Sequence, residues 1–439
     1  MSKPNKTFCG ATPTWANACV GNNGSPGYWE YSKGFSSAAN LLIDTVLGDK
    51  GRTLSVDEFV YPVCFNMRHS VELRLKAAIA DLRTIASFRG EKILFDSAGS
   101  HDIGQIWEFF KGYSESIDER YKLLNQRIYS TIGDIAEVDA TGQTFRYPVS
   151  AESQKHLTDV SLINFLNLKH QFNDLEKNLD TLHKLNVFLI EEYSLGTFTK
   201  NLSRKQLFDI AESIPPISTW TEDHFDETRG RIKSEYGISG NELSKAINLI
   251  KKNYELSHLI DIQPSLMGVT HDGVINFLEK WARLHEIHAG TDEITIEDNS
   301  QTLDELLDCL SRDADIRNEI WKEESQVITP ETIAGISALY YFARDLDFSE
   351  IYIKIYDMDK KMADYDFEAG DDKVRNSYFH ILDKTNALHN ILQTLYFIKH
   401  IDLAELIVER HSLGDKFSWL DSARSGALFL KPDYSGYGI

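Results

Sequence analysis

The sequence predicts an all-α protein with two helical domains and a small β-hairpin near 130–150. Three observations lead to this fold class. From Tyr28 onward, apolar residues recur at the spacing of amphipathic helices along most of the chain. A proline-containing break at 214–217 interrupts that pattern and predicts a domain boundary. The stretch 128–149 is the least helical in its spacing, and it predicts two short strands joined by a turn.

The N-terminal half of the chain is expected to start with an irregular arm and continue as helices. Residues 1–30 are rich in Gly, Asn, Pro and Trp, a composition typical of loops. The first helix is predicted from apolar residues that share one helical face, namely Phe35, Ala38, Ala39, Leu42 and Val46. A second helix is predicted from Asp57 to about Phe88, and a short third one over 101–111.

The predicted hairpin follows these helices. Residues 139–143 have the composition of a turn, and 144–148 would form its second strand. From Leu157 to Leu195 the apolar spacing becomes helical again, which predicts one long helix.

The boundary at Ile214-Pro215-Pro216-Ile217 divides the chain into a helical domain over 31–213 and a second one over 214–439. Further helices are expected in the second domain near 241–256, 273–288, 302–323, 330–343, 348–365 and 372–399. Asp371 and Asp372 stand where the last of these helices begins, and acidic residues are favoured at helix N-termini.

The chain is strongly acidic, with 67 Asp and Glu against 46 Lys and Arg and a formal net charge of −21 over 439 residues. Such a surface repels nucleic acids in general. Any contact with RNA would therefore need a local basic patch, a small RNA such as tRNA, or a partner protein. Solubility is the simpler explanation for the acidity.

Cysteine usage and local motifs exclude several classes of protein. The four cysteines lack the spacing of a zinc site or a disulfide framework, so we expect reduced thiols, no metal and no cofactor. The N-terminus is polar and no apolar run approaches eighteen residues, which favours a cytoplasmic protein that does not enter the membrane. The absence of a glycine-rich phosphate loop and of Gly-x-Ser-x-Gly argues against a P-loop NTPase and an α/β-hydrolase.

A first group of candidate site residues lies on the second predicted helix. Arg68, Glu72 and Lys76 are spaced by four and form one charged stripe, with His69 beside it. The stripe has a structural interpretation, an intrahelical ladder of ion pairs worth roughly 0.3–0.5 kcal/mol each. His69 would then be a core or capping histidine.

A second group lies at Arg375, Asn376 and His380, which we call the RNxxxH motif. Asn376 and His380 are four residues apart and share one face of a helix, and the long stem of Arg375 can reach the same side. The motif combines an imidazole that can move a proton, a cation for a phosphate and an amide that can orient either one. The alternative is that Arg and His meet by chance on an exposed helix.

A weaker candidate is the pair Arg283 and His288, whose second position is Leu rather than Asn. His285 and His288 are three residues apart, so a metal site is conceivable. Histidine before a glycine is also favoured at a helix C-terminus for electrostatic reasons alone.

The stretch from Tyr61 to Lys76 resembles the opening helix of a broad group of bacterial HEPN-like proteins, with a Tyr-Pro start, an Arg-His pair and Glu-Leu-x-Leu-Lys. The likeness covers roughly residues 28–190. It includes Gly34-Phe35 and Ala38-Ala39 upstream, and His101-Asp102-Ile103, Trp107 and Phe145-Arg146-Tyr147-Pro148 downstream. The resemblance implies a helical bundle of the type found in prophage and antiviral-defence neighbourhoods.

HEPN ribonucleases use an Arg-x(4–6)-His motif without metal, and here that spacing is met by the RNxxxH motif rather than on the helix that carries the likeness. The resemblance implies that His380 is the general acid or base for attack of a ribose 2′-hydroxyl on the adjacent phosphate. Arg375 would hold the phosphate and Asn376 would orient the imidazole or a phosphate oxygen. The products would be a 2′,3′-cyclic phosphate and a 5′-hydroxyl, and two copies of the motif would meet in a homodimer.

Two functional hypotheses follow. The first is a metal-independent endoribonuclease, acting as a defence or toxin effector on RNA, with Arg375, Asn376 and His380 as its site. The second is a non-catalytic helical sensor or assembly protein, in which the charged stripe of the second helix is structural. Either hypothesis leaves room for a regulatory protein partner.

Overall fold

The fold is given by a computed structural model, which describes residues 5–149, 157, 160–220, 222–285, 303–414 and 416–437. Within these ranges all regular secondary structure is helical, which confirms the all-α class. The chain divides into two compact units, unit 1 over Met1–Ser194 and unit 2 over Leu195–Ile439. Among the described residues, no helix combines the length and the apolar character needed to cross a membrane.

In its described residues, unit 1 is a bundle of five α-helices with α2 at its centre. The described residues 5–25 that precede the bundle are all exposed. Helix α2 packs against α1, α3 and α5, and it buries Leu75, Ile79 and Leu82 completely. The helices are α1 (Tyr28–Asp49), α2 (Val56–Phe88), α3 (Ile103–Ile117), α4 (Tyr121–Asp139) and α5 (Phe165–Ser194).

The predicted β-hairpin near 130–150 is wrong for the described part of that stretch. Helix α4 continues to Asp139, because Ile128 and Ile132 lie one turn apart and are fully buried in the bundle. After α4 the chain forms a compact loop instead of a strand pair. The amides of Arg146 and Tyr147 both donate to the carbonyl of Gln143, at 3.1 and 3.0 Å.

Unit 2 contains two apolar clusters. The smaller one brings Leu207, Ile214, Ile250 and Leu256 together, so the residues on both sides of the predicted boundary at 214–217 pack with one another. The helices of this cluster are α6 (Arg204–Ser213), α7 (Glu222–Tyr236), α8 (Gly240–Lys252) and α9 (Tyr254–Ser257).

The larger cluster of unit 2 is centred on the fully buried residues Leu339, Ile391 and Leu395. The predicted helix over 372–399 is divided into α14 and α15. The remaining helices are α10 (His271–His285), α11 (Leu303–Glu324), α12 (Pro330–Phe342), α13 (Ser349–Ala369), α14 (Asp371–Leu382), α15 (Ala387–Phe397), α16 (Ile401–Arg410) and α17 (Leu420–Arg424).

Candidate functional site

Helix α14 carries the RNxxxH motif. It starts directly after Gly370, whose φ of 111° lies in a region that residues with a side chain rarely adopt and that separates α14 from α13. Val374 and Tyr378, one turn apart, are buried and anchor the helix to unit 2. This anchoring leaves Asn376 and His380 on the exposed face of α14.

The side chains of the motif have partners on different helices. The Nε2 atom of His380 lies 2.7 Å from the Tyr341 hydroxyl on α12, whereas Arg375 donates from Nη2 to Asn318 Oδ1 on α11 at 2.8 Å. Within the described residues the Asn376 side chain makes no hydrogen bond. The motif therefore presents an exposed imidazole, but its arginine is directed toward another neighbour.

Charges around α14 are mostly negative. Asp371 and Asp372 are exposed at its N-terminus, and Asp383 just beyond its C-terminus pairs with Arg317 at 2.7 Å. Arg344 is a second cation near His380, because its guanidinium lies 4.6 Å from the ring of Tyr341. An RNA phosphate at His380 would meet the cation of Arg344, with the carboxylates of Asp371, Asp372 and Asp383 around the same helix.

The other candidate residues form a polar cluster on α2 of unit 1. Glu72 accepts hydrogen bonds from Arg68 Nη1 and, at 2.8 Å, from Lys76 Nζ. Each of these three side chains is only 4% exposed. The predicted ladder of ion pairs is therefore present, and it is buried rather than solvated.

Arg68 also connects α2 to the segments that follow it in the bundle. Its Nε donates to the carbonyl of Asp139 at 3.1 Å, and its Nη2 donates to the carbonyls of His101 and of Ala140, the latter at 2.6 Å. Gly142 lies against the same guanidinium with a φ of 78°, and a Cβ there would lie 3.2 Å from Nη1. All of the guanidinium nitrogens of Arg68 thus have acceptors, and the loop after α4 packs closely against the guanidinium.

Two histidines flank Glu72. The Nδ1 atom of His101 lies 3.1 Å from Glu72 Oε1, and the His101 side chain is 60% exposed. His69 is half-buried between Phe35 and Phe65, with its Nδ1 4.0 Å from Glu72 Oε2. If His101 donates its Nδ1 proton to the carboxylate, its Nε2 is left with a lone pair that faces solvent.

Electrostatics keep Glu72 ionised and His69 neutral. Burial raises the pKa of Glu72, but the hydrogen bond from Lys76 and the charge of Arg68 outweigh it, so the pKa lies below its usual range. Burial lowers the pKa of His69, and Glu72 only partly opposes this effect. Because both Glu72 oxygens already accept hydrogen bonds from cations, this cluster is poorly suited to holding a metal ion.

Arg146 adds a cation to the cluster. Its guanidinium lies 5.6 Å from the ring of Phe65, which stacks on His69, and its charge contributes to the lowered pKa of His69. Arg146 is exposed, and none of the carboxylates in the described ranges forms an ion pair with it. Its Nη2 donates to the Tyr147 hydroxyl at 3.1 Å, and its other N–H groups can meet an anion that approaches the histidines.

The four sequence segments that carry the HEPN-like resemblance each place a residue in or beside this cluster. They are the segment at Phe35, the Arg-His pair on α2, the segment at His101 and the loop that holds Arg146. Spacing along α2 predicts Arg68, His69, Glu72 and Lys76, but not His101 and Arg146. These two residues lie in separate segments of the resemblance, and only the convergence of those segments in a bundle connects them to α2.

The pair Arg283 and His288 is not brought together by any described contact. Arg283 pairs with Glu319 and Glu323 of α11 at 3.3 and 3.2 Å, as in an ordinary interhelical ion pair. His285 ends α10 and stacks on Trp281. His288 lies outside the described residues.

Comparisons of the chain with family models, with curated proteins and with solved structures gave no match.

Proposed function

We propose that this chain is a metal-independent endoribonuclease whose acid–base centre is the pair Glu72 and His101 of unit 1. The observation that supports this most directly is the 3.1 Å contact between Glu72 Oε1 and His101 Nδ1 on an imidazole that is otherwise exposed. A carboxylate that accepts a hydrogen bond from Nδ1 fixes the tautomer that has its lone pair on Nε2, which is the arrangement of a general-base histidine.

In the proposed reaction, His101 Nε2 takes the proton of a ribose 2′-hydroxyl. The 2′-oxygen then forms a bond to the adjacent phosphorus, the bond from phosphorus to the 5′-oxygen breaks, and the leaving oxygen takes up a proton from the imidazolium or from water. Arg146 would neutralise the charge that builds up on the phosphate. The products are a 2′,3′-cyclic phosphate and a 5′-hydroxyl.

This assignment moves the centre from the RNxxxH motif to unit 1. Two contrasts support the move. His101 has a carboxylate on Nδ1, whereas the described partner of His380 is a phenol. Arg146 lies 5.6 Å from the ring of Phe65, which stacks on His69, whereas Arg375 is hydrogen-bonded to Asn318 on a different helix from Tyr341, the partner of His380. The resemblance supports a cytoplasmic defence or toxin effector that acts as a homodimer, and the net charge of −21 favours a small RNA such as tRNA.

The test is cleavage of total RNA by the purified protein, with analysis of the product ends. His101→Gln should lower the cleavage rate by about 10²–10⁴-fold, the usual contribution of a general acid–base catalyst. His380→Gln is the matched control, because it changes an exposed histidine of the same chain, and its rate should equal that of the wild type.

Full activity of His101→Gln together with loss of activity in His380→Gln would mean that the catalytic site is the RNxxxH motif. If no variant and no wild-type preparation cleaves RNA, the second candidate function, a non-catalytic sensor or assembly protein, takes its place. The observation that favours this second function is the near-complete burial of Arg68, Glu72 and Lys76, since buried ion networks often serve structure alone.

A further inference from the structure

Unit 1 contains a cavity of about 290 Å³ next to the polar cluster. Its walls come from α2, α4, the loop after α4, the segment 160–164 and the first turns of α5. Arg68 lines the cavity and also bonds to Glu72, so one guanidinium borders both the cavity and the proposed catalytic pair. The volume lies at the small end of the range for ligand sites, which suits a single ring system better than a large ligand.

Most of the cavity lining is apolar, and two aromatic side chains contribute to it. Phe172 of α5 is almost fully buried, and Phe145 comes from the loop that also carries Arg146. Met67 and Leu168 extend the apolar wall. Aromatic rings of this kind stack favourably on planar bases, with about 1–3 kcal/mol per base.

One polar group in the lining lacks a partner. Asp139 is only 2% exposed, and its Oδ1 accepts a hydrogen bond from the Thr144 amide at 3.0 Å. Its Oδ2 is buried and has no hydrogen-bond partner. A buried carboxylate oxygen without a donor is costly, on the order of 1–3 kcal/mol or more, so a ligand gains that energy if a small turn of the Asp139 side chain brings this oxygen to the ligand's donor.

Two proton-bearing side chains lie near Asp139, and neither is hydrogen-bonded to its Oδ2. Cys64 also lines the cavity, and burial together with the negative charge of Asp139 raises the pKa of its thiol to about 12. The cation nearest in the lining, Arg68, uses its guanidinium for Glu72 and three carbonyls. At the cavity wall, Asn167 and Gln171 lie one turn apart on α5 and offer amide groups to a ligand's remaining polar atoms.

We propose that this cavity binds a nucleobase that carries an exocyclic amino group, with the amino group donating to Asp139 and the ring lying against Phe145 and Phe172. The proposal rests on the proposed function, because it makes the cavity the base-recognition site for the RNA that is cut at His101. A carboxylate selects amino-bearing bases because it accepts hydrogen bonds and cannot donate one. Uracil has a carbonyl at C4 where cytosine has its amino group, so in the same orientation it would place an acceptor against Asp139 and bind more weakly.

Calorimetric titration of the full-length protein with free cytidine and free uridine tests the proposal without any cleavage step. The two nucleosides have the same size, but only cytidine carries an amino group at C4. Cytidine should bind at least tenfold more tightly than uridine to the wild-type protein. Equal affinities for the two nucleosides, or binding of neither, would overturn the proposal.

Asp139→Asn provides a second measurement, because it keeps an oxygen for the Thr144 amide while replacing the unpaired oxygen by a donor. The variant should lose the preference for cytidine. Asp57→Asn is the matched control, since Asp57 is an exposed aspartate of unit 1 that does not line the cavity, and it should keep the preference. Thermal unfolding of each variant checks that it folds. If Asp139→Asn does not fold, the comparison of the two nucleosides on the wild-type protein still tests the proposal.

Failure of this proposal is distinguishable from failure of the proposed function. Cytidine selectivity in a wild-type protein that cleaves no RNA would support the cavity and reject the nuclease. RNA cleavage that depends on His101, without any nucleoside preference, would support the nuclease and reject the cavity.

Discussion

The polar cluster of α2 and the RNxxxH motif of α14 contain similar side chains in opposite environments. On α2 the cations and Glu72 are buried, and their partners come from residues as distant as Asp139 and Ala140. On α14, Asn376 and His380 are exposed, and Arg375 and His380 each contact one side chain of a different helix. Spacing along α14 does not bring the motif side chains onto a common partner, whereas remote segments of unit 1 converge on one carboxylate.

The strongest test of this comparison is the substitution Arg68→Met. It removes one of the two cations that pair with Glu72 and the donor for three main-chain carbonyls, while keeping much of the side-chain volume. We expect the free energy of unfolding to fall by about 3–5 kcal/mol, as when one partner of a buried pair is removed. Urea-induced unfolding followed by circular dichroism measures it.

Arg317→Met is the matched control for that experiment, because Arg317 also pairs with a carboxylate, that of Asp383, but is partly exposed. Its effect should stay below about 1 kcal/mol. Similar losses in the two variants would show that burial does not distinguish the two regions.

A smaller change in the free energy of unfolding is expected when the pH is lowered. The pKa of Glu72 is lower in the folded than in the unfolded protein, so the unfolded state binds more protons in the acidic range. The contribution of Glu72 to stability is therefore complete above the usual pKa of glutamate and is lost as the pH falls through the folded-state pKa. In Glu72→Gln the free energy of unfolding should depend less steeply on pH in this range.

The measurement is a set of urea titrations between about pH 6 and pH 3 on the wild type and Glu72→Gln. Glu323→Gln, which changes an exposed ion-paired glutamate of unit 2, serves as the control and should follow the wild-type slope. A wild-type slope in Glu72→Gln would mean that the buried carboxylate does not titrate as proposed.

The smallest effects belong to α14. Arg375→Gln and His380→Gln each remove one surface hydrogen bond, and both should change the free energy of unfolding by no more than about 0.5 kcal/mol. Differential scanning calorimetry would detect a larger change. A loss above 1.5 kcal/mol in either variant would show that the motif is a structural element of unit 2, and the contrast with α2 would have to be abandoned.

The sequence predicted those features that depend on short-range spacing. The ladder of Arg68, Glu72 and Lys76 follows from residues four apart on one helix, and the structure contains it. The predicted hairpin near 130–150 is wrong because turn-forming residues after Asp139 also suit a loop that follows a helix. The burial of Ile128 and Ile132 in the bundle favours a helix over a strand before that loop. The contact of His101 with Glu72 spans a loop and 29 positions along the chain, so no local pattern could reveal it.

The carbonyl of Ala140 accepts hydrogen bonds both from Arg68 and, at 2.9 Å, from the amide of Ile103 at the start of α3. Any opening that exposes this carbonyl therefore releases the N-terminus of α3 and loosens the arginine that holds Glu72. The exchange of the Ile103 amide proton with deuterated solvent would thus measure this local opening. The exchange rate would report how stably Glu72 and His101 are held in contact, and this measurement requires no substrate.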